Sequence, residues 1–104
     1  EGKVLTYNDS ALKLLNITKE ELSGKSKIDS NKKWIYESGK IFSYEDLPVW
    51  KTFRTGKSEL GTIIGVPIQN SIRWINCNTE PLEINLEGMP ISVIASYSDI
   101  TENV

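Results

Sequence analysis

Residues 60–68, 72–82 and 90–98 form three β-rich runs, and the gaps between them leave room only for hairpins. Gln69-Asn70-Ser71 and Asn85-Leu-Glu-Gly88 supply the residue types that accept tight turns, so the three runs are expected to pair as an antiparallel meander. Their patterning has the period of two that a half-buried strand requires. In the last run Ile91, Val93, Ala95 and Tyr97 share one face, and Ser92, Ser96 and Ser98 share the other, interrupted by Ile94. In the middle run Arg73, Ile75, Cys77 and Thr79 alternate with Trp74, Asn76, Asn78 and Glu80. The first of these two sets is mostly apolar and is the one expected to meet helices.

The helices come from the first half of the chain. After a short β-rich run over residues 3–7, Asn8 is a good cap for a helix carrying Ala11, Leu12, Leu14 and Leu15. Thr18 and Glu21 have the spacing of a capping box, and Gly24 closes that second helix after about one turn. Residues 25–42 lack a clear period. They read as a loop with a short helical turn, with Ile28, Trp34, Ile35 and Ile41 as its buried points. A further helix is predicted over residues 44–55, capped by Ser43 and Asp46. Pro48 falls in its first turn, where it is tolerated, and Leu47, Trp50 and Phe53 share one face. Helices first and a meander afterwards give an α+β fold, and 104 residues suffice for one core.

Composition removes several classes of function. A formal charge of −2, with lysines scattered and no basic run longer than Lys32-Lys33, argues against nucleic-acid binding. The chain has no histidine, so the commonest general base and the usual haem and transition-metal ligand are missing. A single cysteine forms no intrachain disulfide. No apolar run reaches the length of a membrane span, and a cytoplasmic location without membrane contact is expected of this region. The adjacent acids Glu20-Glu21 and Glu45-Asp46 lie in helix first turns, where they complement the dipole, and have no histidine or cysteine beside them in sequence. Gly61 and Gly65 sit in a strand, without the lysine or the strand-to-helix turn of a phosphate loop.

Several short motifs occur in a telling order. Gly2-Lys-Val-Leu-Thr-Tyr-Asn8, Ala11-Leu-Lys-Leu-Leu15 and Thr18-Lys-Glu-Glu-Leu-Ser-Gly-Lys25 are followed by Glu37-Ser-Gly-Lys40, Asp46-Leu-Pro48 and Arg54-Thr-Gly56. Then come Arg73-Trp74, Pro81-Leu82 and a closing Asp99-Ile-Thr101. Each is weak alone; together, across nearly the whole chain, they resemble a PAS domain. The resemblance implies an antiparallel sheet, five-stranded in the family, with short helices over one face. It implies one domain over residues 1–104, beginning at the family's second strand and ending just after Asp99-Ile-Thr101. The family's first strand, central in the sheet, is then absent from this stretch. Dimerisation, strand exchange or direct pairing of Val4-Leu5 with the last strand is expected to fill its place.

The function implied is a regulatory sensor module of a larger signalling protein, such as a sensor histidine kinase or a nucleotide cyclase. It would relay ligand, redox or partner input to an output helix of the same chain, most simply across a homodimer. A ligand-free spacer or dimerisation module is the alternative, and a small carboxylate enzyme a remote one; no catalytic or metal-binding residues are assigned. Asp99 and Thr101 are the expected transmission residues, able to hold backbone groups where the chain leaves the last strand. Trp34, Trp50, Phe53, Ile75, Cys77 and Tyr97 are the residues that would line a ligand pocket. Large aromatics between helix and sheet are more often plain core, and Cys77 reads more readily as a small buried apolar residue than as a redox-sensing thiol or soft-metal ligand. No cofactor is named: the lack of histidine speaks against haem. Cys77 lies on a strand rather than on the helix that carries the flavin-bonding cysteine of light-sensing PAS domains. Trp74 and Ile94, on the sheet face turned away from the helices, are the expected docking or dimer face.

Overall fold

The alternation of the second half produces the sheet. In the computed structural model, which describes residues 4–7, 10–23 and 33–101, three long strands form the meander: β2 (Glu59–Ile68), β3 (Ser71–Ile84) and β4 (Pro90–Asp99). A short first strand, β1 (Val4–Thr6), completes a four-stranded sheet in the order β1-β4-β3-β2. β2 and β3 pair antiparallel around the Gln69-Asn70 turn, with Ile64 opposite Ile75 and Gly65 opposite Trp74. β3 and β4 pair antiparallel, with Cys77 opposite Tyr97 and Thr79 opposite Ala95.

β1 departs from the expected all-antiparallel sheet, because it runs parallel to β4, with Leu5 opposite Val93. The sheet is therefore mixed. A strand joined to its neighbour through helices that cross one face can arrive parallel, which no tight hairpin allows. The direct pairing of Val4-Leu5 with the last strand is the one of the three expected arrangements that the structure displays.

Among the described residues three α-helices precede β2: α1 (Ser10–Leu15), α2 (Lys19–Ser23) and α3 (Pro48–Thr55). The capping box forms as its spacing predicts: the Thr18 N–H donates to Glu21 Oε1 at 2.8 Å and the Glu21 N–H to Thr18 Oγ1 at 3.1 Å. Asn8, Gly24 and Ile28 lie outside the described residues. The single helix predicted over 44–55 is divided. A 3₁₀ turn (Tyr44–Asp46) is separated from α3 by Leu47, whose ψ of 136° is extended. The ring of Pro48 disfavours helical geometry in the residue before it, while Pro48 itself suits the first helical position. Gly56, at φ 74°, ends α3 in the left-handed conformation that costs glycine little.

The described part of the loop before α3 is a tight hairpin; residues 25–32, the rest of the stretch read as a loop with a short helical turn, lie outside the described residues. Ile35 bridges Ile41 within it, and Ile35 and Gly65 exchange backbone hydrogen bonds that fasten the loop to the outer edge of β2 (2.9 and 2.7 Å). Trp34 is buried and Ile35 partly so, but Ile41 is exposed; Phe42, one residue on, is buried instead and stacks on Tyr36 at 3.8 Å. Hairpin alternation decides which of two adjacent apolar residues turns inward, and here it selects Phe42.

The core lies between the helices and one sheet face. Leu15, Ile17, Leu22, Trp34, Phe42 and Leu47 meet Ile64, Val66, Ile75 and Cys77, and beside them Val49 and Phe53 pack on Val93. Each fully buried aliphatic side chain here contributes about 1.5–3 kcal/mol through loss of water contact. Buried Thr52 and Thr79 satisfy one another across the interface at 2.7 Å, and Thr79 also donates to the Pro48 carbonyl at 3.3 Å. The inward set of β3 is as expected. In β4 the expected set fails at one end: Ile91 is exposed and Ser92 buried. Register shifts between Pro81 and Glu83, and again between Glu83 and Ile84, rotate this stretch, and the Ser92 hydroxyl donates to Glu83 Oε1 at 3.2 Å.

Candidate functional site

Where the chain leaves β4, three elements meet on one arginine. Arg73 stands at the start of β3 on the helix-facing side, and the α1 carbonyls end nearby without intrahelical partners. Arg73 Nη1 donates to Leu14 O at 2.7 Å and Lys13 O at 3.2 Å, 59 and 60 residues away in sequence. Its Nε lies 3.8 Å from Asp99 Oδ2. Asp99 in turn receives the Thr101 hydroxyl at 2.6 Å and the Thr101 N–H at 2.9 Å on Oδ1. Thr101 Oγ1 accepts the Trp74 N–H at 3.1 Å, and the Ile100 N–H donates to Trp74 O at 2.9 Å.

These contacts fix the direction in which the backbone passes Thr101. The Thr101 hydroxyl, then its N–H, and finally the positive charge of Arg73 hold the Asp99 carboxyl below its ordinary pKa. The ion pair is solvent-facing and contributes little by itself, so the strength lies in the short charge-assisted bonds. Asp99 and Thr101 were legible as exit residues. The part of Arg73 was not, although an arginine at an inward strand position is a signal that some buried acceptor awaits it.

The six expected ligand-lining residues lie in the interior. Trp34, Ile75 and Cys77 are buried in the main core cluster, with Trp50 and Tyr97 packed against it. Phe53 belongs to the neighbouring cluster, joined through Trp50, on which it stacks at 5.4 Å. Trp34 Nε1 donates to Leu15 O at 3.4 Å. Cys77 and Tyr97 are direct cross-strand neighbours, so the thiol and the phenol lie close enough to influence each other's ionisation. Burial pushes the thiol up to about 12, against a lowering by Tyr97, and pushes the Tyr97 phenol up as well, helped by the proximity of Cys77 and Tyr7. Both groups are therefore neutral at physiological pH, and a buried neutral thiol is a poor nucleophile.

Trp74 and Ile94 both lie on the outer sheet face but do not adjoin. Trp74 covers Gly65 together with Ile35 and Ile72. Ile94 pairs with Glu80, six residues farther along β3, or roughly 20 Å at the rise of an extended strand. Of the paired acids, Glu21 is buried as the capping-box acceptor, and Asp46 Oδ2 accepts the Ser43 hydroxyl at 2.9 Å. Among the described residues no three Cys, Asp or Glu side chains gather as a metal-binding group, and no helix is long and apolar enough to cross a membrane.

The fold is a small α+β domain with a four-stranded mixed sheet, and Arg73, Asp99 and Thr101 form a polar junction where the chain leaves β4. Comparison with known proteins assigns it no family: no family model, no curated protein and no solved structure matches the chain.

Proposed function

We propose that the chain is a PAS-like regulatory module of a larger, cytoplasmic signalling protein, such as a sensor histidine kinase or a nucleotide cyclase. Its task is to couple the packing of its first helix to the segment that follows Thr101. The observation that carries this reading is the bridge made by Arg73, which holds the last carbonyls of α1 while facing Asp99. A shift of α1 on the sheet, caused by a ligand, by a partner or by rearrangement across a homodimer, would be felt at the chain exit through one side chain. Redox input through Cys77 is the weakest of the possible inputs, because its thiol is buried and held neutral.

The test is to place Arg73→Ala and Asp99→Ala separately in the parent protein. Both variants should keep the circular dichroism spectrum and lose the response of output to input. Regulated output unchanged in both would remove the proposal.

The alternative, a ligand-free spacer or dimerisation module, is favoured by the packing of Trp34, Ile75 and Cys77 into one core cluster. Native mass spectrometry of the purified chain separates the two: a bound small molecule supports a sensor, and bare chain mass supports the spacer.

A further inference from the structure

Beyond Thr79 the outer edge of β3 is free and β3 and β4 run out as an arm, with β1 flanking β4 as far as Ser92. β2 begins at Glu59, opposite Thr79, so Glu80 to Ile84 have β4 on one side and no described strand on the other. The molecule is 46 Å long, about the length of fourteen extended residues, which is the length of β3. Leu82, Ile84, Leu86, Met89, Ile91 and Ile94 are each 40% exposed or more on this arm. Exposed apolar side chains are thus concentrated on this arm, and Leu86 at its tip is fully exposed.

The charge of the arm is one-sided. All twelve lysines and arginines lie at or before Arg73, whereas residues 74–104 carry Glu80, Glu83, Glu87, Asp99 and Glu102. Within residues 80–94 the charged side chains are Glu80, Glu83 and Glu87, while Lys57 follows Gly56, which lies beside Gly88 and Pro90. The tip is also held in one shape: Asn85 Oδ1 accepts the N–H groups of Glu87 (3.0 Å) and Met89 (2.9 Å), and the Asn85 N–H donates to Met89 O at 2.8 Å. A preorganised surface gives up little conformational freedom on binding. Pro81 and the two register shifts blunt the free edge against strand addition. A second copy docking arm to arm would set glutamate against glutamate.

We infer that the β3–β4 arm is a docking surface for a basic amphipathic protein segment, one that seats apolar side chains on Leu82, Ile84 and Leu86 and lysines or arginines beside Glu80, Glu83 and Glu87. This inference is independent of the signalling reading.

The test uses the ¹⁵N-labelled 104-residue chain and an eighteen-residue helical peptide of leucine and lysine, with a leucine–glutamate peptide of the same apolar pattern as control. The lysine peptide should shift amides within residues 80–94, and its affinity should fall about tenfold or more in the triple variant E80Q/E83Q/E87Q. Leu86→Ser should weaken it similarly without loss of fold, since that side chain is fully exposed. No binding, shifts centred elsewhere, or equal binding of the glutamate peptide would overturn the inference. So would a dimer in sedimentation that Leu86→Ser dissolves, because a second copy would then be the occupant.

Discussion

The two ends of β3 are made of similar residues and have opposite fates. Ile75, between β2 and β4 and beneath the helices, is 0% exposed; Ile84, nine residues along the same strand, is 54% exposed. Both are β-branched residues suited to an extended backbone, so propensity does not distinguish them; strict alternation would seat Ile84 with Trp74 and Glu80 on the outer face, but it says nothing of what covers either face. The difference lies in what covers the strand. At the near end two neighbouring strands and three helices enclose it, and at the far end it has one neighbouring strand. The same lesson applies to polar groups. Thr79, the last inward residue before the arm, is buried and satisfied by Thr52 and Pro48, while Glu80, next to it, faces solvent.

The sharpest way to test this contrast is to truncate both isoleucines. Ile75→Ala should lower the unfolding free energy by about 2–5 kcal/mol through lost burial and a residual cavity, whereas Ile84→Ala should stay within about 0.5 kcal/mol in urea denaturation. Comparable losses at the two sites would mean that the arm is packed in solution.

A second probe is the close approach on the outer face. A Cβ at Gly65 would come within 2.7 Å of Ile35 Cγ1 and 2.9 Å of Trp74 Cζ3. Gly65→Ala should therefore cost about 1–3 kcal/mol by overpacking, despite the higher strand propensity of alanine. The paired variant with Ile35→Ala should recover part of that loss, and a neutral Gly65→Ala would show that the near end is looser than the structure has it.

Removing one hydroxyl of the buried pair comes next. Thr79→Val should cost about 1–2 kcal/mol by stranding the Thr52 hydroxyl. The double variant Thr52→Val/Thr79→Val should cost less than the sum of the two singles; additive losses in a thermal-melt cycle would contradict the pairing.

The smallest effect concerns pH. Asp99 has its folded pKa below the ordinary 3.8, chiefly through Thr101, so its contribution to stability is present above that value and fades as pH falls through the lowered one. Melting temperature followed from pH 6 to pH 2 should decline less steeply in Asp99→Asn than in the parent chain. Identical slopes would show that the carboxylate bonds at the exit do not form in solution.

The strands were readable because their signals are local. The expected runs 60–68, 72–82 and 90–98 differ by at most two residues at any end from the strands that form. Period two and turn chemistry are written in neighbouring residues, and the Thr18–Glu21 capping box is likewise a matter of three-residue spacing. The division of the third helix at Leu47 follows from the proline beside it. By contrast, the exposure of Ile41 and the burial of Phe42 depend on how a hairpin docks against β2. The reversal at Ile91 and Ser92 depends on bulges whose position no alternation announces.

The exit junction divides in the same way. Asp99 and Thr101 are two residues apart, and short polar side chains at that spacing bond each other's backbone in many settings, so their pairing was legible. The bond from Arg73 to the end of α1 spans 59 residues, and only the completed fold brings the two together. The sequence alone determined the helix-then-meander order, the inward face of the middle strand and the absence of histidine chemistry, because these depend on residue type and short spacing. Tertiary structure decided the parallel seat of β1, the partner of Arg73 and the bare far end of β3. Each of those depends on which surface arrives to cover a residue, and packing between distant segments is not encoded in any local period.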